Sequence, residues 1–205
     1  MKHLLLILIY KGLMPLFLKL IGVRTAPKNY LKSSAQYIIV ANHNSHIDTM
    51  ALMSSIPFKD LKRTHPVAAA TYFGKNSWLA VLSKLFVNTI LIKRSEEGGE
   101  STALDVLDHY LSKGHSLIIF PEGSRGEPEK MQAFRKGIGV LLQRNPQVPY
   151  IPVYIQGTGK ILPKGERLIV PYDAQLIFGP ARHTSFTQVN EIVDEIKLAI
   201  LDLKS

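Results

Sequence analysis

Val40-Ala41-Asn42-His43-Asn44-Ser45-His46-Ile47-Asp48-Thr49 is the stretch from which the rest of the chain can be read. The apolar run Tyr37 to Ala41 predicts a buried strand. It empties into a polar segment with two histidines and one carboxylate, and apolar residues resume at Met50, Ala51, Leu52 and Met53 as a helix requires. A strand end, a polar turn and a helix start are where α/β proteins keep their chemistry. His43 and Asp48 are five residues apart. In a regular helix five residues turn through about 140°, so the two side chains would diverge. They meet only if the chain bends between them, with Asn44 or Ser45 as the helix cap. A carboxylate bonded to one imidazole nitrogen fixes the tautomer and leaves the other nitrogen as a base. Such a pair, without a serine of its own, suits a substrate hydroxyl as nucleophile. The alternatives on this stretch are a capped helix start with no chemistry, and His46 in place of His43 as the base. A metal site is disfavoured, because no His-Glu-x-x-His follows and the chain has no cysteine.

Working outward, 205 residues suffice for one domain with a full core. With 46% hydrophobic and 20% charged residues the chain is neither disordered nor fibrous. Zero cysteines exclude disulfides and thiolate catalysis, and fit a reducing compartment. A net charge of +9 favours anionic partners, whether phospholipid surfaces, nucleic acid or phosphorylated substrates.

Residues 1–24 are rich in leucine and isoleucine but interrupted by Lys11, Pro15 and Lys19. No uncharged run approaches the roughly 20 residues of a spanning helix, and no small-residue cleavage site for a signal peptide follows. Six basic residues, from Lys2 to Lys32, precede the first acidic one, Asp48. This suits a segment lying in the headgroup region of an anionic leaflet; the alternative is a helix packed on the protein's own core. Further strands are expected at Val67 to Ala70, Thr89 to Ile92, Ser116 to Phe120 and Val148 to Ile155. Pro152 inside the last of these suggests an edge position or an irregular end. Leu168 to Val170 and Ala174 to Phe178 read as a late hairpin. Helical stripes cover Ser77 to Phe86, Ala103 to Leu111, Ile138 to Leu142 and Val189 to Leu203. The alternation predicts one α/β domain with a mixed, mostly parallel sheet and helices on both faces.

Two more strand ends carry charge. Ile92 runs into Lys93-Arg94, and Phe120 into Pro121-Glu122-Gly123-Ser124-Arg125-Gly126. Glycine lets backbone N–H groups approach a ligand closely, and arginine takes a phosphate or carboxylate bidentately. Ser124 is not a hydrolase elbow, because Glu122 stands where Gly-x-Ser-x-Gly needs glycine.

In fixed order, Asn42-His43-Asn44-Ser45-His46-Ile47-Asp48, Ile90-Leu91-Ile92-Lys93-Arg94, Phe120 to Gly126 and Ile151-Pro152-Val153 resemble the four motifs of the glycerolipid acyltransferases. The resemblance is strongest to the 1-acylglycerol-3-phosphate (lysophosphatidate) type. It implies that residues 25–205 form the acyltransferase domain, with His43 as general base, Asp48 holding and charge-balancing it, and His46 not the base. It further implies that Arg94, Glu122, Gly123, Ser124 and Arg125 surround the glycerol phosphate, and that Pro152 walls the acyl region. The donor would be acyl-CoA or acyl carrier protein as co-substrate, with no cofactor and no metal. The setting would be peripheral or monotopic, on the cytoplasmic face of the cell membrane. Asn88 stands where the second motif commonly opens with glycine, and Val67 to Lys75 lacks the Ala-Lys-Lys-Glu type. Another lysolipid or a hydroxy-acyl amino-acid lipid therefore stays open as acceptor. The other functions in play are an acyl thioester hydrolase and a non-enzymatic basic protein bound to a membrane surface. Nucleic acid is not expected as a partner, because the cations show no aromatic interleaving or known nucleic-acid motif.

Overall fold

Ile38–Ala41 is four consecutive small or branched apolar residues, all fully buried, and they form the middle of a seven-stranded sheet. A strand buried on both faces needs such a run, because neither side can turn to water. The computed structural model describes residues 2–26, 29–32, 34–70, 87–92, 100–163, 165–166 and 168–204. Its strands are β1 (Val23–Ala26), β2 (Ile38–Ala41), β3 (Thr64–Ala69), β4 (Ile90–Ile92), β5 (Ser116–Ile119), β6 (Tyr150–Gln156) and β7 (Ala174–Phe178), in the spatial order β1-β7-β6-β2-β5-β3-β4. Neighbours are parallel except β6 and β7, which are antiparallel. The mixed, mostly parallel sheet is therefore as expected.

Alternation along the strands splits the core in two. Ile39, Ala41, Ile118, Ile151, Val153 and Ile155 face helices Lys2–Ile7, Met14–Leu20 and His46–Ser55. Ile38, Val40, Leu117, Tyr150 and Tyr154 face helices Glu100–Ser112, Gly137–Arg144 and Val189–Leu201. Gly139 lets the last two helices close up, since a Cβ there would sit 2.6 Å from the Val189 carbonyl oxygen. Helices on both faces follow.

Several local expectations need correction. Pro152 is not at an edge: β6 lies between β2 and β7. It is tolerated because Tyr150 pairs with Arg182 while the Pro152 carbonyl accepts from Gly179 N, and the β7 ladder starts only at Val153. The absent N–H falls where the partner strand is interrupted. Leu168 to Val170 forms no strand; β7 pairs with β6 and β1 instead. β1 itself was not expected, and the boundary drawn at residues 24 and 25 falls inside it. The helix at Ser77 to Phe86 and the pair Lys93-Arg94 lie outside the described residues.

Residues 2–20 coil continuously, with a π-helical turn at Leu8–Leu13 just before Pro15. An i→i+5 turn is a common way to absorb a break in the helical ladder. One side of this segment belongs to the core, through Leu6, Tyr10, Leu18 and Ile21. The other leaves Leu4, Leu8, Leu13, Leu16 and Leu20 each more than half exposed. Lys11 Nζ donates to the carbonyls of Ser54 (2.8 Å) and Ile56 at the end of helix His46–Ser55. No helix among the described residues is long and apolar enough to cross a membrane.

Candidate active site

The bend that brings His43 to Asp48 lies in the residues between β2 and the next helix. Ser45 is the extended N-cap of helix His46–Ser55, so His43 precedes the helix and Asp48 occupies its third position. Ser45 Oγ accepts from Ile47 N, and Asp48 reaches back to Ser45 N, a reciprocal cap that fixes the helix start. Asp48 Oδ2 also accepts from Asn44 N (2.7 Å) and meets His43 Nδ1 at 2.9 Å. An ionised carboxylate only accepts, so Nδ1 carries the proton and Nε2 carries the lone pair. The Asp48 side chain is wholly buried, whereas the His43 side chain keeps 15% of its surface open. Phe120, at the end of β5, stacks on the imidazole at 4.0 Å.

The surrounding strands hold the turn. Asn42 continues the β2–β6 pairing with its side chain: Nδ2 donates to the Ile155 carbonyl and Oδ1 accepts from Ile155 N, both at 2.7 Å. Asn44 Nδ2 donates to the same carbonyl, and Ser45 Oγ to that of Leu162. A one-residue shift of the turn would break all four bonds.

Glu122 is placed by the loop after β5, where Gly123 takes φ +75° and closes a tight turn onto Phe120. One carboxylate oxygen accepts from His43 N at 2.7 Å and the other from Gln132 N at 2.8 Å. Burial pushes this carboxyl up, opposed by those two N–H groups. At 4% exposure, with each oxygen accepting one backbone N–H, Glu122 braces the His43 backbone. Arg125 lies close enough to His46 for its charge, after burial itself, to help hold the His46 imidazole down to about 4; the His43 charge adds to this. His46 is thus neutral at ordinary pH, beside the arginine.

The structure therefore gathers His43, Asp48, Glu122, Gly123 and Arg125 at one sheet edge, with Ser124 exposed beside them. Arg94 lies outside the described residues; β4, which precedes it, ends at the same edge. Pro152 is not brought to this group. It lies buried mid-strand on the face of Tyr150 and Tyr154, against Gly179 and opposite helix His46–Ser55.

Sequence reasoning passed over Glu129. With φ +63° it aims its carboxylate at Gly157 N (2.8 Å) and Gly159 N (3.2 Å), tying the loop after β5 to the loop after β6. Nothing local signals this, because the donors are backbone N–H groups on another element. Between those loops an open cleft of about 420 Å³ is lined by Gly126, Glu127, Pro128, Gln132 and Pro163.

Compared with known proteins, residues 22–156 match the family described as Acyltransferase. A probable 1-acyl-sn-glycerol-3-phosphate acyltransferase of Mycoplasma pneumoniae is 27% identical over 193 residues, 87% of this chain and 69% of that protein. The human 1-acyl-sn-glycerol-3-phosphate acyltransferase alpha is 28% identical over 72% of this chain, which spans 51% of its length. A chloroplastic relative from Brassica napus, of which the chain spans 39%, is 26% identical. In fold the chain is similar to the crystal structure of the 1-acyl-sn-glycerophosphate acyltransferase PlsC from Thermotoga maritima. The TM-score is 0.71 at 19% identity, covering 95% of this chain and 80% of that one.

Proposed function

The chain belongs to the Acyltransferase family, and from that premise we propose that it moves a fatty acyl group from acyl-CoA or acyl carrier protein to the free hydroxyl of 1-acyl-sn-glycerol 3-phosphate, giving phosphatidic acid. The observation that carries this reading is the bond between His43 Nδ1 and the buried Asp48 carboxylate. It leaves Nε2 as a base while Ser45, the nearest hydroxyl in sequence, donates to Leu162. The acceptor's own hydroxyl is then the nucleophile. His43 Nε2 takes its proton as the oxygen attacks the thioester carbonyl. Asp48 stabilises the imidazolium that forms. Collapse breaks the carbon–sulfur bond, and the His43 proton goes to the departing thiolate, so base, ester and thiol all balance without a cofactor or metal. Arg125, with Ser124 and the Gly123 turn, would hold the acceptor phosphate, and Arg94 would join them. Glu122 would serve by bracing His43.

The acceptor and product are bilayer lipids, and the leucines exposed on residues 4–20 suit attachment to one leaflet. The reading places the protein on the cytoplasmic face, where both donor types occur. The test is acyl transfer by the full chain, with CoA and carrier-protein donors, against a panel of lysolipids. Thioester consumption that depends on lysophosphatidate supports the reading. Consumption that proceeds equally without acceptor would make it a hydrolase, preference for another lysolipid would change the acceptor, and no consumption with any donor would leave a lipid-binding protein.

A further inference from the structure

Leu168-Ile169-Val170-Pro171-Tyr172 holds another contiguous group of exposed apolar side chains among the described residues. Leu168 is 73% exposed, Val170 50%, Tyr172 42% and Ile169 38%. In an isolated soluble domain a turn before a strand is ordinarily polar, and contiguous apolar surface marks an interaction site.

Its place in the fold follows from strand directions. β7 runs antiparallel to β6 with Gln175 opposite Gln156, and β1 runs parallel to β7 with Val23 opposite Ala174. The residues before β7 and before β1 therefore leave the sheet at the edge where β2, β5 and β6 end. That edge carries His43 and Glu122. The two entering segments are joined: Tyr172 N donates to Ile21 O, and Ala174 N to Gly22 O. Gly22, at φ +85°, permits the contact, since a Cβ there would stand 2.4 Å from the Tyr172 carbonyl oxygen. Leu20 and Tyr172 line one shallow cleft with Pro171, and Leu16 lies one helical turn before Leu20 on the same face. Leu16, Leu20, Tyr172, Val170 and Leu168 thus make one rim.

The rim is edged with cations. Lys19 is exposed, and Lys160 Nζ lies over the Tyr172 ring and bonds its hydroxyl at 2.9 Å. An apolar strip bordered by lysines, on a chain of net charge +9, is complementary to an anionic lipid surface. The rim is also connected to the candidate site, for Val170 N donates to Ile161 O and the adjacent Leu162 carbonyl accepts from Ser45 Oγ. β1 and β2 are three strand spacings apart, about 14 Å, less than the length of one lipid.

We infer that Leu168–Tyr172 is a second lipid contact, which together with Leu16 and Leu20 seats the carboxyl edge of the sheet on an anionic phospholipid leaflet. The N-terminal segment alone would leave the protein free to pivot; two contacts on one edge fix which edge faces the lipid. That this orientation serves acyl transfer rests on the function proposed above, whereas the lipid contact itself does not.

The chain has no cysteine, so a single introduced one can be labelled in it. Leu168→Cys carrying a polarity-sensitive fluorophore should blue-shift when vesicles of phosphatidylcholine and phosphatidylglycerol are added. Val106→Cys, exposed on helix Glu100–Ser112, should not. Unlabelled Leu168→Ser/Val170→Ser should bind such vesicles about tenfold more weakly, keep its thermal midpoint, and keep its turnover of a dispersed short-chain acceptor. An unshifted Leu168 label, or vesicle binding equal to that of the unsubstituted chain, overturns the inference. So does a blue shift that grows with protein concentration in the absence of vesicles, which would assign the rim to a second copy of the chain.

Discussion

Replacing Asp48 by Asn separates the electrostatic role of this residue from its structural one. Oδ2 serves three donors, His43 Nδ1, Asn44 N and Ser45 N, at 2.9, 2.7 and 2.8 Å. Oδ1 is buried and has no hydrogen-bond partner among the described residues. An asparagine can keep its one oxygen at the Oδ2 position and preserve the three bonds. Its NH₂ must then occupy the Oδ1 position, where no acceptor meets it. Leaving a buried donor unmet costs about 1–3 kcal/mol. For a domain of this size that lowers the thermal midpoint by roughly 2–12 °C, at about 2–4 °C per kcal/mol. The chain stays folded. Turnover suffers more, because a neutral amide does not offset the positive charge that His43 gains as it takes the proton. Flipped, the amide would donate to Nδ1 and put the proton on Nε2, removing the base. The loss of general-base function is expected at about 10²–10⁴-fold in kcat, or roughly 3–5.5 kcal/mol of barrier. KM for the acceptor should change little, since the Asp48 side chain has no exposed surface. Thiol release can be followed directly with a disulfide reagent, because the protein contributes no thiol of its own. A kcat within about threefold of the unsubstituted enzyme, in a variant whose melting confirms the fold, would refute the His43–Asp48 mechanism, being well below the range expected for a lost base.

His46→Ala should retain most of the turnover. It should also flatten the acid side of the stability curve: burial, with Arg125 and His43, holds the folded-state His46 down to about 4 from 6.5, so the unfolded chain binds the extra proton between those values and stability falls as pH drops from 6.5 toward 4; a melting series from pH 4 to 8 checks this, and a dead His46→Ala beside an active His43→Ala would reverse the assignment of the base. Glu122→Gln sets an amide NH₂ against the backbone N–H of either His43 or Gln132, so we expect about 1–3 kcal/mol lower stability and a fall in kcat with acceptor KM held. A raised KM with kcat intact would return Glu122 to direct contact with the acceptor.

What could be read in advance was local. The capped turn at Ser45, the buried run before it and the alternation of strands with helical stripes are written in neighbouring residues, and they led to the sheet and to the meeting of His43 with Asp48. What escaped is non-local. Val23-Arg24-Thr25-Ala26 is too short and too polar to announce a strand; it becomes one by pairing with β7, about 150 residues away. Pro152 reads as an edge residue until the interruption of its partner at Gly179 is seen. The departure at Asn88 resolves in the same way. Its φ is +61°, a backbone region glycine and asparagine tolerate. Its Nδ2 donates to the carbonyls of Lys62 and Thr64, and its own carbonyl meets His65 Nδ1. The residue that differs from the family pattern keeps the backbone shape that glycine would supply. Glu122 is legible by type, but the two backbone N–H groups it accepts from are revealed by no pattern of side chains.

A boundary drawn on composition at residues 24 and 25 falls inside a strand of the sheet. The break from apolar to mixed sequence near residue 24 suggests a detachable anchor. In the fold, Leu6, Tyr10, Leu18 and Ile21 are core residues, Val23–Ala26 completes the sheet, and Lys11 satisfies carbonyls at the end of the helix that begins beside the candidate base. Losing even those four core side chains would remove several kcal/mol, at about 1.5–3 kcal/mol each. That is comparable with the whole stability of an ordinary domain, about 5–15 kcal/mol. A chain starting at Ala26 therefore reports on folding before it reports on lipid. Leu4, Leu8, Leu13, Leu16 and Leu20 add little to the core, being more than half exposed. The attachment proposed for that face is therefore separable from the fold by substitution rather than by deletion.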